Sequence, residues 1–253
     1  MDCYNDFANI YDELINEDIN YRSWADKIIN ICKEYNVGRK DYLDLACGTG
    51  NFTKLIGKNF IFTTAIDLSE DMLSIADEKL KAEGIKAKVM CQDICNFNIK
   101  KQFDLITCGL DSTNYIVEDE KLKMYFLSVN EHLKNDGIFV FDINTEYKIK
   151  HVLGNNIFNY DSEDVVYIWE NQLEDDIVDM YLTFFVKKGQ VYNRFDEYHR
   201  ERAYSESKIE NFIREAGLII EKKLNCYEKT VIDDKTERIT YVLRKKGCFE
   251  NEG

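Results

Sequence analysis

Proline is absent from the chain of 253 residues, and histidine occurs only three times, as His132, His151 and His199. A chain without proline has no cis-proline turn. The histidines are widely separated and no two cysteines form a C-x-x-C pair, so the sequence lacks the ligand spacing of the common zinc sites. We therefore expect no metal centre.

Long apolar runs are also missing, since no stretch approaches the roughly 20 residues that a membrane-spanning helix requires. The first residues, MDCYNDFANIYDELINED, are acidic and lack the basic and then apolar order of a secretory signal. We expect a cytoplasmic protein that does not associate with a membrane. In that setting cysteines are small buried residues, and we expect this of Cys47, Cys91 and Cys108, which fall at the ends of apparent strands.

Positive charge is scarce, because 33 Lys and Arg stand against 47 Asp and Glu and give a formal net charge of −14. An acidic surface repels phosphate backbones, so we do not expect a nucleic-acid partner. Hydrophobic residues make up 45% of the chain. This content is enough for one large domain or for a domain with a sizeable insertion.

The first part of the chain alternates short apolar runs with stretches of helical spacing. This alternation predicts a parallel sheet with helices on both faces. Ser69 and Gly84 are suited to begin and end one of the helices. The predicted elements are helices over 22–36, 51–57, the stretch from Ser69 to Gly84, and 119–134, and strands at 41–46, 60–66, 86–93, 103–110 and 137–144.

Between 158 and 204 the helical spacing gives way to a period of two, which predicts three antiparallel strands with a hairpin turn at Lys188, Gly189 and Gln190. A helix over 206–216 and strands at 218–227 and 238–246 then resume the first pattern. We predict a doubly wound α/β fold. Its sheet is mostly parallel, seven-stranded and Rossmann-like, with an inserted antiparallel β layer after the fifth strand.

The segment LDLACGTGNFT (43–53) places two glycines on a bend directly after an apolar strand, with Asp44 inside the strand. Ligands of doubly wound sheets bind beyond the carboxyl ends of the strands, and Asp67 there is suited to bind both hydroxyls of a ribose. The dinucleotide fingerprint requires a third glycine where this chain has Thr53, and Asp44 would repel a pyrophosphate. S-adenosylmethionine, a nucleoside with a positively charged end and no phosphate, suits these residues better than NAD.

At this point the chain resembles the class I S-adenosylmethionine-dependent methyltransferases. The motifs that carry the resemblance are D-L-A-C-G-T-G-N (44–51), A-I-D-L-S (65–69), C-Q-D-I (91–94) and F-D-L-I-T-C (103–108). Four motifs in the correct order are far more specific than a pair of glycines. Two further segments, D-S-T-N-Y (111–115) and E-Y-H-R-E-R-A-Y (197–204), are similar to the small-molecule subgroup of amino-sugar N-methyltransferases, which also add antiparallel strands after the fifth strand.

The resemblance implies a role for each motif. Gly48 and Gly50 would let the backbone lie against the methionine part of the cofactor, Asp44 and the carbonyl near Ala46 would receive its ammonium group, and Asp67 would bind the ribose. The adenine would lie beside the third motif and the sulfonium beside the fourth. The implied cofactor-binding residues are Tyr11, Tyr21, Trp24, Asp44, Ala46, Cys47, Gly48, Gly50, Asp67, Leu68, Gln92, Asp93, Ile94, Cys108, Gly109 and Leu110.

The resemblance also implies a division of the chain. Residues 1–40 would form an N-terminal helical lid, 41–157 and 205–247 the methyltransferase core, and 158–204 a cover of antiparallel strands on the acceptor side. The predicted function is in-line transfer of a methyl group to a small-molecule amine or hydroxyl, by a monomer or homodimer.

Candidates for a general base are Tyr115 after the fourth strand, His199 in the cover and Asp142 at the end of the fifth strand. An amine acceptor needs only to be unprotonated, whereas a hydroxyl needs a positioned base. Two alternatives remain open at this stage. The chain could methylate RNA or protein, which should require a basic face, or it could bind S-adenosylmethionine without catalysis.

Overall fold

The computed structural model of the chain describes residues 19–228 and 231–247. Its α-helices are α1 (Tyr21–Glu34), α2 (Asn51–Gly57), α3 (Glu70–Ala82), α4 (Asp119–His132) and α5 (Glu206–Glu215). Its strands are β1 (Asp41–Leu45), β2 (Phe62–Asp67), β3 (Ala87–Cys91), β4 (Phe103–Cys108), β5 (Leu133–Asn144), β6 (Ile157–Asp161), β7 (Val165–Glu174), β8 (Ile177–Lys188), β9 (Val191–Arg202), β10 (Leu218–Asn225) and β11 (Arg238–Lys245). A 3₁₀ turn covers Ser112–Tyr115 and a π-helical segment covers Lys148–Leu153.

Seven strands form the larger sheet in the order β10-β11-β5-β4-β1-β2-β3. The pairs among β1 to β5 are parallel, and β11 is antiparallel to both β5 and β10. Every residue of β1 is buried, as a central strand covered on both faces requires. The predicted doubly wound, mostly parallel seven-stranded sheet is confirmed.

The capping residues of α3 act as predicted. Ser69 Oγ accepts a hydrogen bond from the Met72 backbone N–H at 3.3 Å, and Gly84 takes a left-handed φ of +69° after the helix. Glu70 and Asp71 lie in the first turn, where negative charge interacts favourably with the helix dipole. The helix therefore starts directly after the end of β2, beside the edge of the sheet where a ligand would bind.

The inserted layer is a second, antiparallel sheet with the order β6-β7-β8-β9. The prediction of three strands was wrong, because β6 is a five-residue edge strand with alternate residues exposed and its apolar pattern is too short to recognise. Tyr160 of β6 stacks on Tyr167 of β7 with ring centroids 5.5 Å apart. The predicted hairpin turn is confirmed, since Gly189 has a φ of +68° between β8 and β9.

Cys47 and Cys108 are buried as expected, but Cys91 is exposed. It lies on β3, the outermost strand of its side of the sheet, so less of the chain covers it. Across residues 19–228 and 231–247, no helix is both long and apolar enough to cross a membrane.

Candidate functional site

A cavity of about 520 Å³ opens at the carboxyl ends of β1, β2 and β4 and is lined on its other side by residues of β9. Its volume falls within the usual range of small-molecule sites. Most of the predicted site residues lie on its wall. These are Tyr21, Asp44, Ala46, Cys47, Gly48, Asp67, Leu68, Asp93, Ile94, Gly109, Leu110, Tyr115 and His199.

Asp44 is 2% exposed at the inner end of the cavity. Its two carboxylate oxygens accept hydrogen bonds from the hydroxyls of Thr53, at 2.5 Å, and Thr107, at 2.6 Å. Thr107 can reach it because β1 and β4 are paired with these two residues side by side. Burial raises the pKa of Asp44 to about 6, and the hydroxyl donors oppose that shift.

Asp67 holds the loop that follows β1. One of its carboxylate oxygens accepts from the Gly48 N–H at 2.8 Å, and the other accepts from the Ser69 N–H at 2.9 Å. Gly48 has a φ of +52°, and a Cβ placed on it would meet no atom within 4 Å. The backbone at this bend therefore faces open space in the cavity, as a surface that lies against a ligand should.

Leu68 and Ile94 lie on the wall beside the end of β2. Leu68 is 67% exposed although it is a large apolar residue, whereas Ile94 is 8% exposed. Asp93 accepts a hydrogen bond from the Cys95 N–H at 2.8 Å, which fixes the loop after β3. An exposed leucine at the mouth of a cavity offers an apolar surface to a flat ring.

Tyr115, in the 3₁₀ turn, and His199, on β9, both line the cavity and meet edge to face, with ring centroids 5.9 Å apart. Burial lowers the pKa of His199, so its imidazole is neutral near pH 7. The buried Asn114 holds this arrangement together. Its amide donates to the carbonyl of Asn144 at 3.0 Å and to that of Arg202 at 2.9 Å, which joins the 3₁₀ turn to the ends of β5 and β9.

Asp142 does not line the cavity, although the sequence suggested it as a base. It is fully buried, and its carboxylate accepts from the backbone N–H groups of Leu110 at 2.9 Å and Asp111 at 2.8 Å. It also accepts from Tyr227 Oη at 2.5 Å and pairs with Arg238. Leu110 and Asp111 both have left-handed φ angles, of +56° and +52°, so Asp142 stabilises a strained loop on the cavity wall.

Four other predicted residues also do not line the cavity. Trp24 stacks on Tyr227 with centroids 4.5 Å apart, and Cys108 is buried in the core. The Gln92 side chain accepts from the Asn98 N–H at 2.9 Å. Gly50 faces α3, where a Cβ would lie 3.1 Å from Ala76 Cβ, so this glycine permits helix packing. Tyr11 lies outside the described residues.

The chain is similar to known proteins in both sequence and structure. A family model for the methyltransferase domain matches residues 43–137. A protein of Geobacillus sp. (strain WCH70) that carries the name methyltransferase is 32% identical and covers 96% of this chain and 99% of its own. A crystal structure of an S-adenosylmethionine-dependent methyltransferase from Clostridium acetobutylicum is 53% identical, covers 97% of this chain and 100% of its own, and superposes with a TM-score of 0.92.

The chain belongs to the S-adenosylmethionine-dependent methyltransferases. The predicted resemblance to this family is confirmed, and one similar enzyme acts on an amino sugar. The dTDP-3-amino-3,4,6-trideoxy-alpha-D-glucopyranose N,N-dimethyltransferase of Streptomyces venezuelae is 28% identical over 138 residues, which are 54% of this chain and 56% of that enzyme.

S-adenosylmethionine is the cofactor of this methyltransferase, and the cavity fits it. The cofactor needs a partner for a ribose diol, a flat apolar surface for a purine and a backbone that it can approach closely. The cavity presents the Asp67 carboxylate, the exposed Leu68 and the open bend at Gly48.

Sequence reasoning missed part of this methyltransferase's cavity. The missed residues are Thr49, Asn51, Phe52, Ser69, Met72, Cys95, Ser112, Ile116, Val117, Glu118, Lys121 and Glu197. The missed residues that adjoin the motifs in the sequence could have been inferred from their position next to predicted site residues. Glu197 stands two residues from His199 on β9, so the period of two would have placed it on the same face. The residues from Ile116 to Lys121 carry no comparable signal, because the turn after β4 sets their position.

Proposed function

We propose that this methyltransferase transfers a methyl group to a small-molecule amine or hydroxyl. The supporting observation is that the second sheet roofs the same cavity that holds Asp67. Met72 of α3 lines this cavity and packs against a cluster of Val165, Phe184 and Phe195 from the roof. A roofed cavity of about 520 Å³ has room for a small acceptor beside the cofactor.

In this proposal the strand ends hold the cofactor. Each oxygen of Asp67 accepts one hydrogen bond from the protein and keeps a lone pair for a ribose hydroxyl. Asp44 attracts the cofactor's ammonium group by charge. Leu68 and Ile94 contact the two faces of the adenine, and Asp93 accepts from its amine. When bound, the cofactor supplies a methyl group on a sulfonium, whose C–S bond breaks toward sulfur as the acceptor's lone pair forms the new bond to carbon.

Tyr115 and His199 act on the acceptor. An amine nitrogen becomes an ammonium as it gains the methyl group and must then release one proton, and a hydroxyl must release its proton too. His199, neutral because burial lowers its pKa, can accept that proton. Tyr115 positions the acceptor through its hydroxyl and its ring. Asp142, away from the cavity, contributes by holding the loop at Leu110.

We propose that residues 158–204 cover the acceptor side and that α1 belongs to an N-terminal lid, of which Tyr21 is the described residue on the cavity wall. The cytoplasmic location and the monomer or homodimer stay predictions from the sequence. Methylation of RNA or protein is not favoured, because the chain is strongly acidic.

Asp44 should give cofactor binding a characteristic pH dependence. Its folded-state pKa of about 6 lies above the ordinary value of 3.8. As pH falls from 7 to 5 the carboxyl becomes protonated and loses its attraction for an ammonium group, so we expect about a tenfold weaker affinity for S-adenosylhomocysteine at pH 5. Calorimetric titration across this range measures the effect.

The stability of the ligand-free protein should fall as pH rises, whereas the affinity for the ligand should increase. Because the folded-state pKa is raised, Asp44's contribution to stability is fully present below the unfolded value near 3.8 and is lost as pH rises through about 6. Asp44→Asn should flatten both pH profiles, while His199→Gln should leave the binding profile unchanged. A binding profile that stays steep in Asp44→Asn would contradict the assignment.

The test of the proposed function is methyl transfer from tritium-labelled S-adenosylmethionine to a panel of small amines and phenols. We expect label in at least one of these acceptors and at least a tenfold slower rate in His199→Ala. Tyr198→Ala is the control, because Tyr198 is the neighbour of His199 on β9 and its side chain is exposed on the other face of the sheet. Label that enters only tRNA or protein would overturn the proposal, and no transfer to any acceptor, with cofactor bound, would indicate a binding module.

A further inference from the structure

The wall of the cavity carries mostly negative charge. Five of its residues are acidic, namely Asp44, Asp67, Asp93, Glu118 and Glu197, and among the described lining residues the only lysine or arginine is Lys121. Lys121 pairs with Glu118 at 2.7 Å, so its charge is already matched. The proposed cofactor roles use the first three carboxylates, which leaves Glu197 as the unmatched charge on the acceptor side.

Glu197 is half-buried on β9, on the same face as His199. Burial alone raises its pKa, which agrees with the lack of a cationic partner for it within residues 19–228 and 231–247. A carboxylate removed from water without a partner is unfavourable. A hydrogen-bond donor or a cation supplied by a ligand would relieve that cost.

The first 18 residues do not change this balance. They contain six acidic residues and no lysine or arginine. Wherever this segment lies, it brings no cationic side chain to the cavity. A phosphate or diphosphate group is usually bound by arginine, by lysine or by a helix N-terminus. Among the described residues, the acceptor half of this cavity offers Lys121, which is already paired, and the start of α4. That helix start carries Glu118, Asp119 and Glu120, whose negative charges oppose the binding of a phosphate.

We propose that the acceptor is a small amine that carries no phosphate or other acidic group, and that Glu197 binds its nitrogen. This inference rests on the proposed function and narrows it. It also separates this chain from its Streptomyces venezuelae relative, whose name specifies a dTDP-linked amino sugar. A diphosphate beside Glu197 would meet an unmatched negative charge on the cavity wall, which costs binding energy in a partly buried site.

Two matched pairs of amines test the inference, because their members differ only in a phosphate. These are glucosamine with glucosamine 6-phosphate, and pyridoxamine with pyridoxamine 5′-phosphate. Transfer of tritium from labelled S-adenosylmethionine is measured for both members of each pair. We expect at least one unphosphorylated amine to be methylated, and its phosphorylated partner to be methylated at least about tenfold more slowly.

The charge of Glu197 provides the second arm. Glu197→Gln should reduce kcat/KM for the accepted amine by about tenfold or more, through KM, and Glu197→Lys should shift the preference toward the phosphorylated member. Glu170→Lys, an exposed position on β7, is the control and should leave the preference unchanged. If Glu197 had only a structural role, its substitution would lower kcat/KM for both members of a pair by the same factor. The ratio of the two kcat/KM values would then stay constant.

A third arm does not depend on finding the acceptor. Titration of dTDP into the complex with S-adenosylhomocysteine should give no saturable binding up to about millimolar concentrations. Sub-millimolar binding of dTDP that His199→Ala abolishes, faster methylation of the phosphorylated amines, or no methylation of any amine would each overturn the inference. If S-adenosylhomocysteine itself fails to bind, the proposed function fails instead.

Discussion

Asp67→Ala should weaken the binding of S-adenosylhomocysteine by roughly 10- to 150-fold, the range that corresponds to the loss of hydrogen bonds to a charged group. The substitution removes two things at once. It takes away the proposed acceptor of the ribose hydroxyls, and it frees the Gly48 and Ser69 N–H groups that the carboxylate now holds at 2.8 and 2.9 Å. Calorimetric titration measures the affinity directly.

Asp67→Asn separates these two contributions. The amide keeps one oxygen acceptor, but its NH₂ group faces a backbone N–H, so one N–H group of the loop loses its acceptor. At the ribose, the NH₂ group donates a hydrogen bond where the carboxylate oxygen would accept one. We expect an affinity between those of the wild type and Asp67→Ala. Asp71→Ala, an exposed residue in the first turn of α3, is the control. Unchanged affinity in Asp67→Ala would show that the ligand does not use the end of β2.

Asp142→Ala should lower the free energy of unfolding by about 3–5 kcal/mol, the cost of removing one partner of a buried ion pair. The carboxylate is completely buried and accepts from two backbone N–H groups, a tyrosine hydroxyl and the Arg238 guanidinium. Without it, Asp111, at 2.7 Å, is the ion-pair partner that Arg238 keeps among the described residues. Urea denaturation measures the loss.

Asp142→Asn preserves the shape of the side chain and some of its hydrogen bonds, so it should lose less stability than Asp142→Ala. If the alanine variant does not fold, the asparagine variant can still be measured. Asp136→Ala lies on the same strand, β5, but is exposed, and should change stability by less than about 0.5 kcal/mol. Equal effects at positions 142 and 136 would contradict the role assigned to the buried network.

The sequence predicts the larger sheet well because its signals are local. Each strand and helix carries its own periodicity and caps, as Ser69 and Gly84 show for α3. The bend at Gly48 and the acid at Asp67 are also local, since both follow directly from strands whose carboxyl ends must meet at one edge.

Features that depend on contacts between residues far apart in the sequence cannot be predicted from such local patterns. Asp142 is polar and lies near the carboxyl end of β5, as a site residue would, yet β11 brings Arg238 beside it and makes it part of a buried ion pair. Gly50 belongs to the glycine motif but serves the packing of α2 on α3. The period of two places Glu197 on the same face as His199, but that face lines the cavity only because the second sheet folds over the first.

The most direct test of the account is calorimetric titration of the wild-type protein with S-adenosylhomocysteine and, separately, with NADH. We expect saturable binding of S-adenosylhomocysteine and no binding of NADH, because the bend after β1 lacks the third glycine and has a buried carboxylate where a pyrophosphate would lie. Binding of NADH without binding of S-adenosylhomocysteine would contradict the assignment of the cavity.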